Sequence, residues 1–209
     1  MGKKMKNLDI AKINKDLKDK SPAEIIVWAL SITKNALVTT NFRPYEVAIL
    51  HAITQVDPNL KVIWCDTGYN TPQTYKHANE LIDTLKLNVH LYVPQQTAAH
   101  RDATIGMPQI EDPLHKVFTE QVKLEPFNRA MAEHKPEVWF TNLRSGQTAF
   151  RNSIDVVSVS KDGILKVSPF YHWTDAQLDV YLKEHSLPNE FKYFDPTKVL
   201  ENRECGLHS

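Results

Sequence analysis

Near its last residue the 209-residue sequence carries a thiol, in Arg203-Glu204-Cys205-Gly206-Leu207-His208-Ser209. A cysteine in a terminal segment is not needed to fill a core, because chain ends are mobile unless they are tied down. Beside a glycine, with an arginine and a histidine close by, Cys205 has the look of a nucleophile delivered to a substrate. A lone terminal cysteine with nothing around it is more often a stray residue, since reactivity comes from environment. Its role therefore depends on what the rest of the chain brings together.

Three polar stretches offer partners for it. Thr39-Thr40-Asn41-Phe42-Arg43-Pro44 combines hydroxyls, an amide and the start of a helix, which suits a phosphate. It lacks the glycine that lets a backbone wrap a phosphate closely, and it is not a Walker A loop. Asp66-Thr67-Gly68-Tyr69-Asn70-Thr71-Pro72 places a carboxylate and a glycine where a ribose or a base edge would be held, or else forms a turn and a helix cap. Leu143-Arg144-Ser145-Gly146-Gln147-Thr148-Ala149-Phe150-Arg151 carries two arginines and a glutamine. Guanidinium groups grip phosphate or sulfate through two donors, although a single such arginine is more often a surface ion pair. Lys123 and Arg129 flank a helix start and add two cations. Cys65, just before Asp66, reads as a small buried hydrophobe.

The elements that must position these loops follow from pattern and caps. Ser21-Pro22-Ala23-Glu24 is a capping box with proline at the first helical position, opening an apolar helix to about Ile32. Short apolar runs at Ala36 to Thr40, Lys61 to Cys65 and Glu137 to Thr141 read as strands, as does Asn88 to Val93, where Val89, Leu91 and Val93 share a face. Helices are expected from Tyr45 to about Gln55, after Thr71-Pro72 to about Leu85, from Glu125-Pro126 to about Glu133 and after the box Thr174-Asp175-Ala176-Gln177 to about His185. Residues 94–122 read as helical pieces around proline breaks. Lys161-Asp162-Gly163 between two β-rich runs signals a hairpin, and the stretch from Pro188 has no period. Strands alternating with helices predict an α/β fold with a mostly parallel sheet flanked by helices. In such folds ligands sit outside the carboxyl ends of the strands, which is where all three polar loops fall.

Composition narrows the classes. With 42% hydrophobic and 24% charged residues the chain can bury a sizeable core. Lys+Arg and Asp+Glu are 25 each, so no global charge draws nucleic acid or an anionic membrane. No apolar run approaches the roughly 18 residues that span a bilayer. Cys65 and Cys205 are the 2 cysteines, which form neither a disulfide framework nor a zinc or iron–sulfur ligand set. A reducing cytoplasm is the compartment this implies. The lysine-rich first twenty residues have no apolar h-region and read as a solvated helix or frayed arm.

Taken together, several segments resemble the phosphoadenylyl-sulfate (PAPS) reductases of sulfate assimilation. They are Glu204-Cys205-Gly206-Leu207-His208, Asp66-Thr67-Gly68-Tyr69 with Pro72, Lys123-Leu124-Glu125-Pro126 with Arg129-Ala130, and the loop bearing Arg144, Gln147 and Arg151. Gly163-Ile164-Leu165-Lys166 with Pro169, and Trp173-Thr174, continue the likeness, which spans roughly Ser21 to Ser209. The resemblance implies an adenine-nucleotide alpha-hydrolase-like, Rossmann-like fold. It further implies that the Cys205 thiolate attacks the sulfur of PAPS, leaving S-sulfocysteine and adenosine 3′,5′-bisphosphate, after which thioredoxin or glutaredoxin frees sulfite. By the same likeness Thr39, Thr40 and Asp66 hold the nucleotide, and Lys123, Arg144, Gln147 and Arg151 the anionic end. Arg203 and His208 favour the thiolate and Glu204 opposes it. Members of the family are often homodimers.

A sister group, the adenylyl-sulfate reductases, holds a [4Fe–4S] cluster on paired cysteines. Two of these lie just before the lysine equivalent to Lys123, where this chain has Gln121 and Val122. The cluster-free type is therefore implied, with no metal. Two departures stand out: Arg43-Pro44 where the family has small residues, and an arm shortened to Pro188–Arg203 where the family has a longer, arginine-bearing one. They leave room for a catalytically altered nucleotide-binding paralogue. An ATP-pyrophosphatase-type sulfur-transfer enzyme would need a Ser-Gly-Gly-rich first loop and would leave Cys205 unexplained. The expected organisation is an N-terminal arm over residues 1–20, a nucleotide-binding α/β domain over 21–187 and a flexible tail over 188–209.

Overall fold

Six short strands, Ala36–Thr40 (β1), Lys61–Cys65 (β2), Asn88–Tyr92 (β3), Val138–Phe140 (β4), Val157–Val159 (β5) and Leu165–Val167 (β6), build one sheet in the order β3-β2-β1-β4-β6-β5. The structure is a computed structural model and describes residues 8–149 and 151–197. All neighbouring strands pair in parallel except β5, which returns antiparallel to β6 through the expected hairpin. Gly163 takes the left-handed conformation that the hairpin turn needs (φ 79°). β1 lies at the centre: the chain winds outward from it through β2 to β3, then crosses to β4 on its other side. The carboxyl ends of β1 and β4 therefore flank a switch point of the topology.

The central strands are buried on both faces, as parallel strands between helices must be. Along β1, Val38 faces a large core built with Pro22–Ile32 (α2), Glu46–Val56 (α3), Pro72–Leu85 (α4) and Asp175–Glu184 (α8). Its neighbour Leu37 faces a smaller core with Ile63, Cys65, Tyr92 and Trp139 beneath Glu125–His134 (α7). Both capping boxes form: the Ser21 and Thr174 hydroxyls accept from the backbone N–H of Glu24 and Gln177, whose side chains bond back. Among the described residues no helix is long and apolar enough to cross a membrane.

Three details refine the sequence expectation, each for a physical reason. First, the helix in the N-terminal arm, Ile10–Leu17 (α1), is docked on the sheet rather than solvated. Asn14 donates to the Val157 carbonyl at 2.9 Å and accepts from the Val157 N–H at 2.8 Å, so its amide completes the open edge of β5. Second, β3 is also an edge strand, and its Leu91–Val93 face stays in water (54% and 48% exposed), whereas Tyr92 on the opposite face is buried. Third, residues 94–124 hold Ala98–Thr104 (α5) and Leu114–Thr119 (α6), after which a π-helical turn over Glu120–Leu124 leads into α7 without a break. Pro126 has no N–H to give to the Val122 carbonyl and its ring crowds it. The helix widens there instead, with the Glu125 N–H reaching back to Glu120. Lys123 sits on this turn.

Candidate active site

Where β1, β2 and β4 end, the chain leaves a crevice of about 200 Å³. Thr39, Thr40 and Arg43 come from the end of β1 and its loop, Cys65 from β2, Thr141 and Asn142 from beyond β4. Ile63 and Phe127 give it an apolar side. Lys123 from the π-helical turn and Arg151 from the loop after β4 are its buried cations. Tyr193 and Asp195, from the segment after α8, complete the wall.

The first loop is organised around Glu46, the first residue of α3. Its carboxylate accepts from the Thr40 hydroxyl at 2.8 Å, the Asn41 N–H at 2.7 Å and the Arg43 Nε at 2.7 Å. Phe42 and Tyr45 both adopt positive φ (53° and 66°), and Phe42 is fixed edge-on against Trp64 at 4.9 Å. Two left-handed non-glycine residues so close together cost on the order of 1 kcal/mol or more each. The internal carboxylate and the packing hold them there. The loop donors that a phosphate would use are thus occupied by Glu46, and Arg43 is turned onto it. Thr39 lines the crevice as well, with its hydroxyl accepting from the Trp139 indole at 2.9 Å.

Asp66 does not line the crevice. Its carboxylate accepts from the Gly68 N–H (2.9 Å), the Asn70 amide (2.8 Å) and the Tyr75 hydroxyl (2.9 Å), which together shape the Asp66–Pro72 loop. Burial, followed by the Asp66 charge, pushes the Tyr75 phenol up to about 12, so it stays a donor. Gly68 needs its left-handed φ of 81°, and any Cβ there would press on Ala98 at 3.3 Å.

The cations divide into two groups. Lys123 and Arg151 face the crevice. Lys123 pairs with Asp195 and lies 3.2 Å from the Thr197 hydroxyl. Arg151 donates to the Gln147 side chain, whose same oxygen accepts from the Arg144 N–H. Arg144 and Arg129 turn elsewhere: Arg144 to Asp175 at the start of α8, and Arg129 to Glu125 and the Val93 carbonyl. Of the seven substrate-site residues expected from sequence, Thr39, Thr40, Lys123 and Arg151 meet in one crevice. Asp66, Arg144 and Gln147 do not line it. Cys205 and His208 lie outside the described residues.

Cys65 is free, buried among Leu37, Ile63 and Phe127. Burial pushes its thiol up to about 12 despite Lys123 and Arg129 nearby. It is no thiolate at neutral pH. Glu46, Asn142, Tyr193 and Asp195 were not foreseen as site residues. An acidic residue in the first turn of the helix after a strand-end loop is a readable sign for Glu46. Asp195 lies in a stretch without period and gives no such sign. Among the described residues no group of three or more His, Cys, Asp or Glu side chains is placed to hold a metal ion.

A mostly parallel sheet covered on both faces, with a crevice lined by charged side chains of both signs at its switch point, defines an α/β protein of the kind that holds ligands at its strand ends. Residues 35–193 match the phosphoadenosine phosphosulfate reductase domain. A phosphoadenosine 5′-phosphosulfate reductase of Klebsiella pneumoniae is 34% identical over an alignment covering 96% of this chain and 92% of that protein. The crystal structure of a phosphoadenylyl-sulfate reductase from Candida auris, in a phosphate complex, superposes with a TM-score of 0.75 at 28% identity, covering 86% of this chain and 87% of that one. An NH3-dependent NAD synthetase from Campylobacter jejuni shares the fold alone, at 10% identity and a TM-score of 0.56 over 88% of this chain and 77% of that one. The chain belongs to the phosphoadenosine phosphosulfate reductase family.

Proposed function

We propose that this chain reduces 3′-phosphoadenylyl sulfate to sulfite in sulfate assimilation, with Cys205 as nucleophile. The observation that carries the reading is the pair of buried cations, Lys123 and Arg151, walling one crevice at the switch point of the sheet. Two fixed cations in a partly desolvated crevice bind an oxyanion far better than they would in water, and they stabilise the charge that gathers on a departing phosphate. The anionic end of the nucleotide lies at Lys123 and Arg151, and the nucleoside along Thr39, Thr40, Ile63 and Phe127. Asp66, Arg144 and Gln147 act through the loops they hold, and Gln147 orients Arg151.

The Cys205 thiolate attacks the sulfonate sulfur. The sulfur–oxygen bond to the phosphate breaks, its electron pair leaves with adenosine 3′,5′-bisphosphate, and Cys205 retains the sulfonate as S-sulfocysteine. A dithiol protein of the thioredoxin or glutaredoxin type then attacks the Cys205 sulfur, sulfite leaves, and the second thiol of that protein returns Cys205 to the thiolate. His208 and Arg203 favour the thiolate by their charge. No iron–sulfur cluster takes part, since Gln121 and Val122 stand before Lys123 where a cluster-bearing chain has cysteines. The compartment is the cytoplasm, which keeps both thiols reduced.

Intact-protein mass spectrometry after incubation with PAPS, without reductant, tests this. The chain should gain one sulfonate, and Cys205→Ser should gain none. Bound nucleotide without an adduct would overturn the reading and leave a non-catalytic binder. The same incubation with adenylyl sulfate tests the nucleotide preference.

A further inference from the structure

The segment that follows α8 does not trail away from the fold. It runs back over the carboxyl edge of the sheet and delivers a carboxylate to the crevice. The Lys123 ammonium and the Asp195 carboxylate are 3% and 6% exposed and pair directly. The Thr197 N–H and hydroxyl donate to the other Asp195 oxygen at 3.0 and 2.6 Å. Burial works against the Asp195 charge, yet Lys123 and Thr197 together hold this carboxyl below its ordinary value.

Elsewhere polar contacts hold the segment, among them the Thr74 hydroxyl on the Lys192 carbonyl at 3.2 Å and the His115 ring nitrogen 3.4 Å from the Pro196 carbonyl. The Lys192 carbonyl accepts from the Thr71 hydroxyl at 2.6 Å, and the Asn189 side chain accepts from the Tyr45 N–H at 2.9 Å. Phe191 stands 64% exposed, touching the Tyr45 ring edge-on. The buried ion pair is the charged anchor that this segment makes at the crevice. Breaking such a pair without replacement is strongly unfavourable, because a charge is left buried and alone.

We propose that Asp195 is an intramolecular stand-in for the substrate's anion and sets what the crevice admits: the phosphosulfate end of the nucleotide takes Lys123 from Asp195 and frees the segment leading to Cys205. The inference rests on the reading of the crevice given above. A multiply charged oxyanion offers Lys123 more charge and more acceptors than a carboxylate, and it gains Arg151 in the same crevice. Asp195, once displaced, regains water as the segment lifts. A weakly charged ligand cannot make this exchange and is excluded by the tethered competitor. Cys205 follows ten residues after Asp195, so the anchored segment tethers the thiol to within at most about 35 Å of Asp195.

The test uses the full chain and adenosine 3′,5′-bisphosphate, measured by calorimetry, together with trypsin cleavage after Lys192 and Lys198. In the native chain, saturating nucleotide should speed cleavage at these sites. In Asp195→Asn, cleavage should be fast with or without nucleotide, and the nucleotide should bind about tenfold tighter, the competitor having been removed. Asp195→Glu, which keeps the charge, should restore weaker binding. A purely structural role would lower the melting temperature without tightening binding. If the native chain binds the nucleotide but Asp195→Asn binds it no tighter, the exchange is overturned and the crevice reading stands. If neither binds it, both fall.

Discussion

The Arg144 guanidinium donates to the Asp175 carboxylate at 2.5 Å and lies over the Tyr45 ring, 5.3 Å from its centre. One side chain thereby joins the loop after β4 to the first turn of α8 and the start of α3. Arg144 is buried and Asp175 mostly exposed, so the contact acts through the packed guanidinium more than through the acid. Arg144→Ala is expected to lower the unfolding free energy by about 1–3 kcal/mol in urea titrations. Asp175→Asn should cost less than about 1 kcal/mol. The KM for PAPS should change little in either, whereas Arg151→Ala should raise it at least about tenfold. A collapse in affinity at Arg144→Ala with unchanged stability would put Arg144 on the substrate instead.

Glu46 carries the first loop on three hydrogen bonds inside the fold. Glu46→Ala takes that acceptor from the Asn41 N–H and the Thr40 hydroxyl and the carboxylate from the Arg43 Nε. We expect a loss of about 1–3 kcal/mol. Glu46→Gln keeps an acceptor for the loop and should cost less. Equal melting temperatures for the native chain and Glu46→Ala would show that the loop holds its left-handed residues by packing alone.

Stability should fall as the pH drops from 7 toward 5, and histidines account for part of the slope. His51, bonded to the Tyr181 hydroxyl at 2.7 Å and facing His185, is held below its ordinary 6.5 by burial, then by His185. His77 is lowered too, by burial, and so is His134, by burial, then by His90 and Lys61. Below about 6.5 the unfolded chain takes up protons that the folded chain refuses, so folding weakens as pH falls through that range. Asp195 acts in a lower window: its stabilisation is complete above the ordinary aspartate value and is lost only as pH falls beneath it. His51→Gln should flatten the slope of denaturation midpoint against pH between 7 and 5. An unchanged slope would exclude His51 as a contributor.

Cys65 should be inert in the folded chain. In Cys205→Ser, iodoacetamide at pH 7.5 should add no label to the native protein and one after denaturation, read by intact mass. Burial and a thiol near 12 together demand this. Native labelling would show that the crevice floor opens to solvent.

Much of the scaffold was legible because local chemistry specified it. The capping boxes at Ser21 and Thr174, the proline at 72 and the glycine hairpin at 163 act over three or four residues, and each appears where it was read. The strand β3 was legible from its alternation, which marks a face without saying how far a helix covers it: Val89 packs on the core and Leu91 is exposed. The π-helical turn was hidden for a similar reason: a proline reads locally as a start, yet the preceding helix absorbed it by widening.

The sequence by itself determined which reactive groups the chain holds: a thiol in a Glu-Cys-Gly-Leu-His segment, polar strand-end loops, cations in quantity and no cysteines beside Lys123. Tertiary structure alone decided which cations face one another across the crevice. Residue type sets charge, whereas direction depends on the partner that packing brings within about 3 Å, and two of the three deciding partners are remote in sequence. Asp175 draws Arg144 away, Gln147 aims Arg151 inward, and Asp195, seventy-two positions after Lys123, reaches that lysine only because the segment after α8 folds back over the sheet.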